Sequence, residues 1–312
     1  MKADARPPTA AQSPAVNLTP NTSGETHGRR STKAGMLDTS GTSHAVPDAD
    51  DLAPAHPAGI RATARLRATH NGHATTVPLL HNDGPFHLRR LRSHRERARI
   101  CLLGAMSAPL GGDRLALDIT AEAHTRLEVT TAAATIALRG PTPDPATYDV
   151  RLTVGDHASL HWLPQPLIST QGSTVHQTYR VELAGTSQLL LREEQLLGRI
   201  AEPPGHLSTR LTVRRDGRPI LDQHTAYGAP APAWDSPAVL GSHRATGQLL
   251  IVSPGMDPPA TPVLLGDPTQ GHCVLAPLAD SPALLATAVA ATPAQLRRLL
   301  DEALACVSGT QT

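Results

Sequence analysis

The sequence predicts an all-β protein, and three observations carry that expectation. From Ile60 onward the chain breaks into short stretches in which apolar and polar residues alternate, the period of a strand with one wet face. Turn signals separate these stretches at close intervals: Asn71-Gly72, Asp83-Gly84-Pro85, Gly111-Gly112-Asp113, Gly140-Pro141, Gly155-Asp156, Asp216-Gly217-Arg218 and Gly228-Ala229-Pro230 supply the positive or preset φ of tight connections. No stretch of helical period interrupts the series before Ser281.

Residues 1 to 58 come first and read as a disordered low-complexity tail. They are rich in Pro, Ala, Ser, Thr, Gly and Asp, lack aromatics, and scatter Val16, Leu18, Met36, Leu37, Val46 and Leu52 without period. Ordering a residue costs roughly 1–2 kcal/mol of backbone entropy, and this segment has too little apolar surface to offset it. Its acidic residues, among them Asp4, Glu25, Asp38 and Asp48, argue against a transit peptide.

A single β domain then runs from residue 59 to the end of the chain. Alternation marks strands from Ile60 to Thr69, Phe86 to Arg92, Arg99 to Leu103, Arg114 to Thr120, Arg126 to Thr131 and Thr135 to Leu138. It continues over Tyr148 to Val154, Ser159 to Leu163, Val175 to Leu183, Gln188 to Leu196, Leu207 to Arg214, Pro219 to His224 and Gly247 to Val252. From Ser281 the pattern shifts to helix, either two short ones, Pro282 to Ala291 and Pro293 to Ala305, or one interrupted one. Pro282 and Pro293 sit where a first turn tolerates proline, with Ser281 and Thr292 as N-caps. Leu296, Leu299, Leu300 and Leu304 form the buried stripe of the second segment. Strand spacing alone leaves sandwich, barrel and solenoid open.

Composition narrows the function classes. A net charge of +1, with lysine only at positions 2 and 33, gives no clustered cation for a phosphate backbone. Two Trp, three Tyr and one Phe offer almost no stacking platform for bases or sugars, which counts against nucleic acid and against a carbohydrate- or surface-binding module. Cys101, Cys273 and Cys306 are odd in number and far apart, suggesting neither a disulfide framework nor a closed zinc site, and a reducing cytoplasm fits them best. No apolar run approaches the roughly 20 residues of a membrane span. Phosphate-loop, nucleophile-elbow and His-Glu-x-x-His signatures are missing, so the chain is read as a non-enzyme. The rival reading, a β-rich metal-dependent enzyme, rests on the 16 histidines, of which His70, His73, His81, His87 and His94 group most closely, though at irregular spacing. His272 and Cys273 are adjacent soft ligands, but on a strand they point to opposite faces.

Several runs stand out for their side chains. Leu110-Gly111-Gly112-Asp113 reads as a turn, with paired glycines for unusual φ and an Asp that bonds its own backbone. Thr130-Thr131-Ala132-Ala133-Ala134-Thr135 is small throughout and lets neighbouring backbones approach. His161-Trp162-Leu163-Pro164-Gln165-Pro166 ends a strand at proline, with Trp162 as a core anchor whose N–H is bonded. Arg192-Glu193-Glu194 and Leu197-Gly198-Arg199 form a dense charge cluster. Alternation puts Glu193 and Glu194 on opposite faces, so at most one of them is expected to face the interior, with Arg192 or Arg199 as its counter-charge.

Taken together and in order, LGGDRLALDI from Leu110, TTAAATIALRG from Thr130, LHWLPQPLI from Leu160, LLLREEQLLGR from Leu189 and WDSPAVLGSHRATGQLL from Trp234 resemble the UreD (UreH) family of urease accessory proteins. The resemblance spans roughly Ile60 to Cys306. It implies a single helically wound β structure with one or two C-terminal helices. It also implies a maturation chaperone that binds the urease apoprotein and a UreF-like partner, receives Ni²⁺ from a UreG-like GTPase, and assists nickel insertion without a tightly bound cofactor. Asp113, His161, Gln165, Glu193, Glu194 and Arg199 become candidates for a nickel path or partner surface, while Gly111, Gly112, Thr130, Thr131, Trp162, Pro164 and Gly198 carry the structural motifs. There are departures: Ala105-Met106-Ser107-Ala108-Pro109 replaces a Pro-Pro-Gly-Gly-like stretch, Ala132 and Ile136 stand where relatives often have Gln and Lys, and His161 stands where they often have an acid.

Overall fold

A computed structural model describes residues 59–309 except 95, 268 and 270. The low-complexity segment 1–58 lies outside the described residues. The strands begin with β1 (Arg61–His70), β2 (Thr75–His81), β3 (Phe86–His94), β4 (Arg97–Gly104), β5 (Arg114–Ala121) and β6 (Arg126–Thr131). Next come β7 (Thr135–Ala137), β8 (Ala146–Val154), β9 (Ser159–Leu163), β10 (Leu167–Ser169), β11 (Thr174–Leu183) and β12 (Gln188–Leu197). The order closes with β13 (His206–Arg215), β14 (Arg218–Tyr227), β15 (Ala245–Val252), β16 (Val263–Leu265), β17 (Gly271–Pro277), β18 (Ala283–Ala290) and the helix α1 (Pro293–Gly309).

Two sheets hold these strands. The first runs β14-β13-β11-β8-β5-β1-β2 and the second β16-β17-β18-β15-β12-β9-β6-β4-β3, with β10 bridging β12 and β7. Consecutive long strands alternate between the sheets, β5 to β6, β8 to β9 and β11 to β12, and each returns parallel to its predecessor in the same sheet. The chain therefore winds helically. Parallel neighbours need a crossover, and here a strand of the opposite sheet supplies it in place of a helix. Strict alternation makes this possible: in β5 every second residue is buried, and Leu117, Leu152, Leu127, Leu160 and Trp162 fill the space between the sheets.

Close stacking of coils explains the glycines of the first motif. A Cβ on Gly111 would lie 2.7 Å from the Thr142 carbonyl, and Gly112 has φ of 93°. Asp113 latches the turn, accepting the Leu110 N–H at 2.8 Å and the Ile60 N–H at 2.9 Å.

At the C-terminal end only one of the two expected helices exists. α1 is capped as foreseen, with Thr292 N–H donating to Gln295 Oε1 at 3.0 Å and Gln295 N–H to Thr292 Oγ1 at 3.3 Å, the reciprocal capping box. Leu296, Leu299 and Leu300 are buried against the second sheet, with Leu304 packed at the edge of that cluster. The stretch expected as a helix from Pro282 is β18 instead, paired on both sides by β15 and β17. Its run of alanines has good intrinsic helix propensity, but two flanking strands satisfy its backbone, and small side chains let α1 lie close. β2, β10, β16 and β17 were not foreseen either; three of them lie at sheet margins or ends, where little burial shapes the sequence.

Candidate functional site

Between the sheets, the apolar core gives way to a band of polar side chains. On β12 the inward phase is Leu189, Leu191, Glu193, Gln195, Leu197, so a carboxylate and an amide interrupt an otherwise aliphatic row. On β11 the same phase brings Gln177 and Tyr179, on β13 Thr209, and on β15 Thr246 and Gln248, all buried. Glu193 is the centre. Its side chain accepts Gln195 Nε2–H at 2.8 Å on one oxygen and Gln248 Nε2–H at 2.6 Å on the other. No cation contacts it among the described residues, and burial pushes its carboxyl above the usual range despite the two amide donors. A cavity of about 20 Å³ adjoins Glu193, bordered also by Gln195, Thr225, Tyr227 and Gln248. That is room for about one water. Among the polar atoms near it, Gln248 Oε1 and Gln223 Oε1 are buried without a hydrogen-bond partner, as is Gln177 Oε1 further along β11.

Glu194 faces the other way, yet it is buried as well. Alternation holds, but α1 covers the outer face of β12, so the expectation that at most one of the two carboxylates faces a covered interior is corrected. Its counter-charge comes from the helix: Arg297 donates through Nε and Nη2 at 3.1 Å each, and the same Nη2 reaches Gln165 Oε1 at 3.1 Å. Arg192 stands second at 3.8 Å and also binds Asp301 of α1 at 2.5 Å. Arg199 makes no part of this pair; it grips Glu202 at 3.0 Å and holds that carboxyl down at about 2. Gly198 is required beside it, with φ of 86° and a Cβ position 2.7 Å from the Glu202 carbonyl.

The remaining candidates are dispersed. Both oxygens of Asp113 are taken by backbone amides in the turn before β5. His161 lies half-buried on the outer face of β9, in register with Glu128, and burial followed by the nearby Arg97 lowers its pKa to about 4. Thr131 Oγ1 accepts the Gln165 N–H at 2.8 Å and fixes the entry of the Pro164 loop, while Thr130 pairs with Leu163. Trp162 is buried as expected, but its indole N–H, expected to be bonded, lies near the Tyr179 phenol without a hydrogen bond of normal geometry. Among the described residues no three His, Cys, Asp or Glu side chains gather to hold a metal ion, so the fold does not assemble the histidines from His70 to His94. His272 is exposed and Cys273 buried on β17, opposite faces as the strand phase requires. Among the described residues no helix is long and apolar enough to cross a membrane.

Sequence reasoning missed Gln177, Gln195, Thr209, Gln248 and Arg297. A signal for the first four existed: each is a polar residue in the inward phase of a strand whose inward positions are otherwise mostly apolar, with Glu193 beside Gln195 on β12 and Thr246 beside Gln248 on β15 as the further polar ones.

Fold and site together define a class: a helically wound two-sheet β protein with a helix over one sheet and an unpaired carboxylate in a polar interior. Sequence comparison makes this specific. The family model described as UreD urease accessory protein matches residues 61–311, and the chain belongs to that family. It is 62% identical over 248 residues to "Urease accessory protein UreD 2" of Saccharopolyspora erythraea, covering 79% of this chain and 87% of that one. It is 54% identical over 250 residues to "Urease accessory protein UreD 3" of Streptomyces griseus, with 78% and 96% covered. Against "Urease accessory protein UreD" of Streptomyces coelicolor the identity is 51% over 251 residues, with 79% and 96% covered.

Proposed function

We propose that this chain is a urease-maturation chaperone that binds the urease apoprotein with UreF-like and UreG-like partners and passes Ni²⁺ inward along its polar interior. Family membership supports the maturation role. The observation that carries the nickel reading is Glu193, a buried carboxylate without a counter-cation, flanked by orphaned amide oxygens. Ni²⁺ stands high in the divalent affinity series and is held tightly by imidazole and thiolate. A carrier that must release it is better lined by carboxylate, amide and hydroxyl oxygens, which is the donor set around Glu193. With room for about one water, the closed interior does not accommodate a hydrated ion, so the isolated chain retains nickel weakly and a partner's binding opens the way. Asp113, His161 and Arg199 belong to the scaffold or the partner surface in this reading. GTP hydrolysis falls to the UreG-like partner, and a lasting interface with the UreF-like one buries on the order of 2,000 Å². Cys101 and Cys273 are free thiols, which suits work in the cytoplasm.

The test uses a urease-producing host lacking this gene, complemented by the wild-type chain or by Glu193→Leu. Urease activity, nickel per urease and co-purification of the complex are measured. The expected outcome is an intact complex with nickel-poor urease in the variant. Full nickel loading with Glu193→Leu removes Glu193 from the path, and active, nickel-replete urease in the deletion host overturns the maturation role itself.

A further inference from the structure

Each sheet ends in strands that no described strand pairs along the outer side, and three of the four ends are closed by composition or length. β2 carries Pro78 and β14 carries Pro219, which remove backbone donors, and β16 is three residues long. β3 differs. It has nine residues and no proline, and no described strand pairs along its outer side; the preceding turn engages its start, with Phe86 N–H donating to the Asp83 carbonyl at 3.0 Å and Leu88 N–H to Asn82 Oδ1 at 2.7 Å, so the open stretch begins at Arg89. After the buried Phe86 and Leu88, the six residues Arg89 to His94 are all exposed, so the strand overhangs the body with both faces bare. Arg90 lies on one face and Arg89 and Leu91 on the other, and between Leu91 and His94 the register with β4 shifts, which leaves Arg92 and Ser93 without a pairing partner on β4.

Carboxylates near this edge are already engaged. Glu128 takes Arg99 at 2.7 Å and Glu96 takes Arg126 at 3.2 Å, while Arg90 donates to the Val77 carbonyl of β2. Arg89 and Arg92 have no ion-pair partner among the described residues. Charged edge strands commonly serve to repel stray strands. Here, however, the charges are of one sign, lie on both faces, and flank an exposed leucine, a combination that rejects a basic or neutral strand and favours an acidic one.

We propose that the outer edge of β3 from Arg89 onward docks an extended acidic segment of a partner protein, which adds to the second sheet by backbone hydrogen bonds and sets carboxylates on both of its faces against the unpaired Arg89 and Arg92. A second copy of this chain is a poor occupant, because β3 against β3 opposes arginine to arginine. A nucleic acid gains nothing from the free edge amides and finds no aromatic platform beside them. The inference rests on the edge alone and stands apart from the nickel reading.

The test is fluorescence anisotropy of the full chain with a labelled peptide that carries Glu on both faces when extended, Thr-Glu-Glu-Val-Glu-Glu-Val-Glu-Thr. Its controls are the same peptide with Lys for Glu, a version with Pro for both Val, and a single-stranded oligonucleotide. The acidic peptide is expected to bind, the lysine and proline versions not to, and the double variant Arg89→Glu/Arg92→Glu to bind the acidic peptide at least about tenfold more weakly while gaining the lysine peptide. That gain shows the reversed edge is still folded. The proposal is overturned if the acidic peptide fails to bind the wild-type chain, if the proline version binds equally, if the double variant keeps its affinity, or if the oligonucleotide binds more tightly than the peptide.

Discussion

Replacing Glu193 by glutamine isolates the cost of an uncompensated buried charge. The side chain is 3% exposed and has two amide donors but no cation. Its carboxyl is raised above the ordinary 4.5, first by burial, with Gln248 and Gln195 opposing. The sign follows: the folded state favours the protonated acid, so the stabilising contribution is complete below the unfolded value and is lost as pH rises through the folded one. Glutamine has nearly the same shape and no charge. Its new amide N–H₂ meets Gln248, whose Oε1 has no partner and becomes an acceptor when that amide turns over. Within the window above 4.5 the wild type should therefore lose stability relative to Glu193→Gln by about 1.4 kcal/mol per pH unit, roughly 3–6 °C in melting temperature for a domain of this size, and the difference should level off above the folded pKa. Urea unfolding of both proteins from about pH 5 to about pH 8 measures it, read as midpoints at constant slope. Parallel curves, or a variant less stable at every pH, would refute the idea that Glu193 is an unpaired buried acid.

Three further outcomes are expected. Arg297→Ala should destabilise the fold by about 2 kcal/mol, less than the about 3–5 kcal/mol of a fully buried pair because Arg297 is 38% exposed and Arg192 remains 3.8 Å from Glu194; a double-mutant cycle with Glu194→Gln that shows coupling below about 0.5 kcal/mol would mean the pair is idle. Asp113→Ala leaves the Ile60 and Leu110 amides without their acceptor and should cost about 2–4 kcal/mol, with Asp113→Asn losing about half of that, as read by thermal unfolding. Cys273 is buried and its thiol is pushed up to about 11, chiefly by burial, so alkylation of the native chain at pH 8 should leave it unmodified until urea is added, with labelled Cys273 in native protein by mass spectrometry as the contrary result.

Much of the fold was legible in the sequence because a strand with one buried face must alternate, and the Gly-Gly-Asp, Gly-Asp and Asp-Gly turns mark where it stops. The capping box of α1 was legible for a similar reason, since Thr292 and Gln295 satisfy each other locally. Legibility failed where both faces of a strand are covered. In β18 and β12 the outer face meets α1, so the alternation that separates strand from helix, or buried from exposed, carries no contrast.

By itself, then, the sequence determined the all-β class, the turns, the helix start at Pro293 and the family, all properties of neighbouring residues or of ordered runs. Only the tertiary structure decided that Ala283–Ala290 is a strand, that Glu194 answers to an arginine 103 positions away, and that polar residues from β11, β12, β13 and β15 meet around an uncompensated Glu193. A strand's own sequence sets the phase of its side chains, but which side chains of other strands share the same interior is set by how the coils stack and where α1 packs.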